Sequence, residues 1–536
     1  MAVAAAIVRE ARRILDPPAE PKPRRGLAMI IGSCLVFAGV GFAGPSAVAL
    51  TLGPRTSWLP PWYLPVAYAN WNEWVVVPAM WVAIVVGALG LWTCWRALEA
   101  GWRPRPWRLF GLGAALSAAV GFVLPLTSAD VLMYAAYGRL QTIGQNPYDI
   151  TPAMIIRQEF DPVLRWTERP WQDTPSVYGP LASAVQRLAS MLGGANMHAT
   201  VFWLQLMTTL PFILIALLAV IVTRGDVVAQ ARAVLLILLN PLMVLAIVAG
   251  AHNEALTMLF AFAGLCLMRK SPLLAGLGIG IAGTIKVSLV FYGLAMAWTY
   301  RRSPGKLVQL VVGAAGPLVL AYVVWMPQTV LAASRNTTYV SQGSWLSPAF
   351  NTLGPLIGAE ATHQFVAITG WVAMIVATWM LSRVVPRTRV PGGDPSWDAM
   401  ADPLSRAGRA AAVLVCAWLL TSPYTWAWYD LLAWVPLALI ACPRLDAIMA
   451  WRVTWLSLAY VTGRVYPYGP QMVATMTVIR DNICPVAQWL ALIALVIWWW
   501  RDGHELPSLA RIRFGHAWLF WSRRNLRSSG AADRQR

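Results

Sequence analysis

Charge is scarce in this chain: 12% of its 536 residues are Asp, Glu, Lys or Arg, and only 23 are acidic. Water-soluble domains carry about 25% charged residues, so the composition excludes an ordinary soluble protein. Cysteine is sparse too. Of the six, Cys34, Cys94, Cys266, Cys416 and Cys442 lie within or at the edge of apolar runs, and only Cys484 falls near an expected outer surface. That distribution excludes a disulfide framework and offers no zinc-ligand spacing. No internal repeat is visible, which weighs against transporter folds built from duplicated halves.

What remains is strongly apolar. Hydrophobic residues make up 58% of the chain, 30 residues are Trp, and the mean hydropathy is +0.57. The class is an all-α polytopic membrane protein held in a lipid bilayer. A net charge of +19 could suggest nucleic acid, but the Lys and Arg residues sit in short clusters between apolar spans, which is how topology is written in a bilayer. No nucleic-acid partner is expected.

A crossing needs about 20 apolar residues. Spans are expected near 27–52, 74–95, 109–127, 199–223, 233–250, 254–268, 307–325, 364–382, 408–421, 429–442, 452–463 and 484–500. With Arg9, Arg12, Arg13, Lys22, Arg24 and Arg25 inside, alternate crossings put Arg96 to Arg108, Arg224 with Arg232, and Arg269 with Lys270 on the cytoplasmic side. Residues 1–26 form a basic cytoplasmic segment, 27–500 a multi-span body, and 501–536 a basic cytoplasmic tail. The pattern around Ala47-Val48-Ala49 imitates a signal-peptide cleavage site, but the apolar run is long and the first span is expected to stay uncleaved.

Pro272 to Trp298 is the ambiguous stretch, because basic residues flank it on both sides (Lys270; Arg301, Arg302, Lys306). A helical hairpin broken near Lys286 keeps both flanks inside and gives about fourteen crossings in all. Gly276, Gly278, Gly280 and Gly283 would let its two arms pack together. Lys286 then stands at an apex near the outer surface, avoiding the cost of a charge at mid-bilayer.

Unusual residues therefore collect on the outer face. They fall in 128–197, in Ala251-His252-Asn253-Glu254, at Lys286, in 326–362, in Ser422 to Asp430, and around Arg464 to Asp481. Ser176 to Leu192 has apolar residues at helical spacing with few charges, which suggests an interfacial helix. Asn336-Thr337-Thr338 matches a glycosylation acceptor pattern that is common by chance.

Taken in order, Asp130 after the third apolar run, Gly144-Gln-Asn-Pro-Tyr-Asp149, Tyr178-Gly-Pro180, Ala251-His-Asn-Glu254, Ile285-Lys286 and Ser422-Pro-Tyr-Thr-Trp-Ala-Trp-Tyr429 resemble the C-type glycosyltransferases. Within these, the chain is most similar to the actinobacterial polyprenyl-phosphate-mannose-dependent α-1,6-mannosyltransferases of lipomannan and lipoarabinomannan backbone synthesis. The resemblance runs from about residue 27 to 500. It implies a multi-span bundle with a periplasm-facing cleft in the plasma membrane, a lipid-phosphate mannose donor and a mannan acceptor. It further implies inversion at the anomeric carbon, with an aspartate of the first large outer loop as base. The turn reads Glu254 where relatives often carry Asp.

The chemistry asks for the same parts independently. A phosphate-linked sugar already has a good leaving group, so the protein must supply a base for the acceptor hydroxyl, a cation for the departing phosphate, and a dry site. Asp130 is the expected base, although Ser-Ala-Asp also suits a helix cap. Lys286 is the first choice of phosphate partner, followed by Arg464 and His252. Glu254, Asn253, Tyr134, Tyr137, Tyr148, Tyr178, Trp426, Trp428 and Tyr429 are candidate sugar or acceptor contacts, the aromatics also serving as an interfacial belt.

A nucleotide-sugar enzyme usually needs a soluble α/β domain with a carboxylate-rich metal site. Nothing between the apolar runs is long enough for one, and 128–197 contains no Asp-x-Asp. No metal and no cofactor are expected. The alternatives are a transferase or ligase acting on another lipid-linked sugar, such as arabinofuranose, and a lipid or solute transporter.

Overall fold

The computed structural model describes residues 22–503, apart from 47, 49–51, 66–67, 69–70, 168–170, 333–338 and 462–466. Arg464, Asn336 to Thr338, Ala47, Ala49 and most of both basic termini lie outside the described residues. Among those described, the chain is helical throughout and forms no strand beyond a single bridge between Trp62 and Val123.

Its first half runs through α1 (Pro23–Ala43), α2 (Glu73–Glu99), α3 (Pro106–Gly121), α4 (Asp130–Thr142), α5 (Pro180–Gly193), α6 (Met197–Val222), α7 (Val227–Val248) and α8 (Glu254–Leu267). There follow α9 (Pro272–Gly283), α10 (Val290–Tyr300), α11 (Pro304–Trp325), α12 (Ala359–Val384), α13 (Pro403–Thr421), α14 (Leu431–Leu439), α15 (Pro443–Ala459) and α16 (Pro470–Asp502).

Local chemistry sets most starts. Pro opens α1, α3, α5, α9, α11, α13, α15 and α16, where its missing N–H costs nothing. Side chains of Asn72, Asn196, Asp226, Ser271 and Asp402 accept from the first free N–H groups of α2, α6, α7, α9 and α13. The first span ends earlier than its hydropathy suggests, because Gly44 and Pro45 stop α1 after Ala43. The last is longer, since α16 begins at Pro470 and passes through a π-helical turn at Ile479–Ile483 before the apolar stretch.

Eight of these helices are long and apolar enough to cross a membrane, and four shorter apolar segments accompany them. Burial sorts them into centre and rim: 94% of the most apolar window of α7 is buried, against 17% for α11. Outward-facing side chains on the rim are apolar, among them Ile368, Ile375, Val324 and Trp500. An apolar outer surface around satisfied helices is what a bilayer demands. The protein is a multi-pass membrane protein.

Segment 272–300 doubles back. Tyr300 Oη donates to the Met268 carbonyl at 3.0 Å, so the stretch begins and ends at the same side of the bundle. The expected break is present, with α9 ending at Gly283 and Lys286 in extended backbone. The glycines, however, do not join the two arms. An added Cβ at Gly276 would come within 2.1 Å of the Leu310 carbonyl, and at Gly280 within 2.5 Å of that of Ala314, so both seat α9 on α11. Gly278 seats α9 on Gly264 of α8. The other arm, α10, packs against α13 and α14 instead, through Phe291 on Trp418 and a 2.6 Å bond from Tyr292 Oη to the Leu432 carbonyl.

Helix α5 covers most of the stretch 176–192 where an amphipathic helix is expected. It turns Ala182, Ser183, Gln186, Ala189 and Ser190 inward and leaves Leu188, Met191 and Leu192 exposed. Small inward residues allow close seating: a Cβ on Gly138 of α4 would overlap the Gln186 carbonyl at 2.2 Å.

Candidate active site

Asp130 is the first residue of α4, not its cap. Ala129 occupies the cap position without a side-chain bond, and the Ser128 hydroxyl accepts from the Asp130 N–H at 3.1 Å. Its carboxylate is one-third exposed and lines a cavity of about 230 Å³. Tyr134, one turn along the same helix, lines it too.

The turn after α7 approaches from below. Ala251 has φ of 51°, a left-handed value uncommon for a residue with a Cβ, and Gly250 has no room for one, since Ala246 O would stand 2.5 Å away. This sharp reversal places His252 fully buried, with Nδ1 3.7 Å from Asp130 Oδ2 and its ring stacked on Trp428 at 3.8 Å and 14°. Burial first, and then the Lys286 charge, push the imidazole well below the usual histidine range. His252 is therefore neutral, and its contact with Asp130 is not an ion pair. Neither ring nitrogen has a hydrogen-bond partner.

Lys286 stands at the apex of the hairpin, and its ammonium is bonded to the buried carboxylate of Glu254 at the start of α8. The same Nζ lies 4.9 Å from the Tyr429 ring centroid. The apex is held from outside by the Tyr178-Gly179-Pro180 turn. Gly179 N donates to the Ile285 carbonyl at 3.3 Å, and Leu181 N to that of Thr284 at 3.1 Å. A Cβ on Gly179 would come within 2.3 Å of the Thr284 oxygen, which is why glycine stands there. Tyr322 Oη closes the other flank with a 3.0 Å bond to the Gly283 carbonyl.

Of the residues singled out from the sequence, Asp130, Tyr134, Tyr178, Lys286, Trp428 and Tyr429 line the one cavity. His252 and Glu254 lie buried behind it, each against a lining residue. Asn253 lines a separate small cavity beside Gln186 and Thr208. Tyr137 spends its hydroxyl on the Thr174 carbonyl (2.8 Å), and Tyr148 on Ser183 Oγ (2.5 Å) and the Tyr178 carbonyl (2.8 Å). Trp426 stacks on Trp428 at 5.3 Å and 5° and does not line the cavity. Among the described residues no cluster of His, Cys, Asp and Glu could hold a metal ion.

The sequence reading missed part of the wall: Ser288, Tyr322, Thr329 and Trp418 also line the cavity, as does Tyr424, which belongs to the 422–429 motif but not to the candidate contacts. It also missed what holds the aromatic turn. Arg452, fully buried in α15, is bonded to Asp430 and Thr425 and donates through Nε to the Leu419 carbonyl at 3.1 Å. Ser341 Oγ donates to the Thr425 carbonyl and accepts from its N–H, both at 3.0 Å. An arginine inside an apolar stretch was the available signal.

A carboxylate and an ammonium on one cavity, walled by aromatic rings and set at one end of a membrane bundle, can deprotonate a hydroxyl and neutralise a phosphate in a partly dry site. A family described as "Alpha-(1->6)-mannopyranosyltransferase, N-terminal domain" matches residues 36–302. That stretch contains Asp130, Tyr178, His252, Glu254 and Lys286. An alpha-(1->6)-mannopyranosyltransferase of Mycobacterium tuberculosis is 27% identical over 406 residues, which is 72% of this chain and 64% of that protein. Alpha-(1->6)-mannopyranosyltransferase B of Corynebacterium glutamicum is 26% identical over 201 residues, 38% of this chain and 30% of that one. A probable alpha-(1->6)-mannopyranosyltransferase of Mycolicibacterium smegmatis is 32% identical over 140 residues, 26% of this chain and 25% of its own. In each case the match spans less than two thirds of the relative's length. This match over 36–302 and these relatives support a mannosyltransferase similar to the alpha-(1->6)-mannopyranosyltransferases of mycobacteria and corynebacteria.

Proposed function

We propose that this chain is an inverting mannosyltransferase. It moves mannose from polyprenyl-phosphate mannose to a hydroxyl of a growing α-1,6-mannan or lipomannan acceptor, at the outer face of the plasma membrane. The observation that carries the reading is the placement of Asp130 and Lys286 on one aromatic-walled cavity. The relatives' names supply the sugar and the linkage.

In this reading the acceptor oxygen attacks the anomeric carbon as its bond to the phosphate oxygen breaks. The hydroxyl proton passes to the Asp130 carboxylate, and polyprenyl phosphate leaves with the bonding pair. Lys286 meets the charge that develops on the phosphate, with Glu254 fixing its position, and Arg464 is a second candidate cation. His252 packs against Asp130, with Nδ1 3.7 Å from its carboxylate, and limits the room it has to move. Tyr178, Trp428 and Tyr429 offer flat faces to the C–H surfaces of sugar rings, as indole and phenol rings suit. In the same reading the catalytic body is 27–500, and the end of the bundle that carries the basic clusters faces the cytoplasm, in keeping with the excess of Lys and Arg on that side of a bilayer.

Asp130→Asn tests the reading. It should fold and bind the lipid donor normally while turning over at least ~10²-fold more slowly, because the proton has no acceptor. Near-normal turnover by folded Asp130→Asn protein removes the aspartate from the mechanism.

A further inference from the structure

At the far end of α10 from Lys286, a groove opens between α10, α11, α12 and α13. Leu294, Ala297, Leu307, Val413 and Leu414 wall about 580 Å³ of it. Leu294 and Trp298 at its mouth are 52% and 62% exposed, so it opens outward, where the bilayer lies, and not into the core. The groove runs on into a pocket of about 170 Å³, the two sharing Trp298, Arg301, Arg409 and Ala410.

That second pocket is basic. Arg301, Arg387, Arg406 and Arg409 line it, and no carboxylate lines either part. Nearby, Arg269 and Arg232 are each paired with a buried aspartate, Asp402 and Asp446. None of the four pocket arginines has a carboxylate partner among the described residues. Three are instead held in place by backbone carbonyls. Arg406 donates to Thr299 O (2.5 Å), Arg409 to Ser382 O (2.7 Å) and Val385 O (3.0 Å), and Arg301 to Trp298 O (2.8 Å). Thr388 Oγ1, in the same pocket, is a buried hydroxyl without a hydrogen-bond partner.

Four cations without a carboxylate partner, three of them held in position, at the edge of an apolar slot are complementary to an amphiphile with an anionic head. We propose that this groove binds one anionic glycerophospholipid of the surrounding leaflet, its phosphate among Arg301, Arg387, Arg406 and Arg409 and an acyl chain between α10 and α13. The bound lipid would brace the end of α10 opposite the one that presents Lys286.

The test uses full-length protein in neutral detergent, with lipid retention read by native mass spectrometry. Phosphatidylglycerol and phosphatidylcholine with identical acyl chains are the probes. One phosphatidylglycerol should be retained in clear preference to phosphatidylcholine. Arg301→Gln/Arg387→Gln changes two exposed side chains and should weaken that binding about 30-fold, since each basic residue near an anionic head contributes roughly a factor of five. Ala410→Trp, which fills the junction of slot and pocket, should abolish retention without touching a charge. Both variants should melt within a few degrees of the parent protein in the absence of lipid. Equal retention of the two lipids, unchanged phosphatidylglycerol binding in either folded variant, or displacement of the lipid by millimolar inorganic phosphate would each overturn the proposal.

Discussion

Lys286 and Glu254 form the pair whose worth is easiest to misjudge. Each stabilises the other, so losing activity on changing one proves little about catalysis. Lys286→Met leaves the Glu254 carboxylate buried and unpaired, at a cost of about 3–5 kcal/mol, and should lower the melting temperature as well as turnover. In Lys286→Met/Glu254→Gln the stranded charge is gone, and melting should recover most of the way while turnover should not. Recovery of turnover along with stability would make the pair structural only. His252→Phe separates stacking from chemistry in a similar way, keeping the ring on Trp428 and removing the nitrogen 3.7 Å from Asp130. If His252 positions the carboxylate, turnover falls and the donor KM hardly moves; a change confined to the donor KM would contradict that role. At this scale the sequence was readable where a residue broke its surroundings, as Asp130 and Lys286 do beside apolar runs. Arg452 escaped notice because the span was expected to begin at 452, which made the arginine look like a flank. The helix begins at Pro443 and buries it against Asp430.

Among elements, the hairpin of α9 and α10 matters most to the site, because its break carries Lys286. Basic flanks on both sides announced the reversal, since a single crossing would have stranded one cluster on the wrong side. Which helices the glycines would meet was not legible. Composition says that close packing is possible, but the partner depends on how α8 and α11 arrive. The Tyr178-Gly179-Pro180 turn is the hairpin's external clamp, and Gly179 is its tightest point. Gly179→Ala should leave the bundle folded and displace the apex, costing on the order of 10²-fold in turnover through misplacement of Lys286. Measuring kcat with the melting curve checks this; an unaltered kcat would show that the apex does not need the clamp.

Across the whole molecule, fold class was the most legible feature, because outward apolar side chains and clustered basic residues are bulk properties of the chain. Tertiary neighbours were the least legible. Tyr322, Ser288 and Trp418 reach the cavity from separate helices and carry no local signal. The proposed orientation rests on where the basic clusters lie. In a background without native Cys, a cysteine at exposed Gln158 should react with an impermeant thiol reagent applied outside intact cells, and one at exposed Ser303 should not. Labelling at Ser303 alone would invert the topology. A lipid monophosphate needs less neutralisation than a nucleotide diphosphate, so protein cations can suffice. The most direct measurement supplies purified protein with labelled polyprenyl-phosphate mannose or GDP-mannose, a short α-mannoside acceptor, and EDTA. The expected result is mannosyl transfer from the lipid donor alone, undiminished by the chelator. Transfer from GDP-mannose by protein free of lipid donor, or loss of activity in EDTA restored by Mg²⁺ or Mn²⁺, would contradict it.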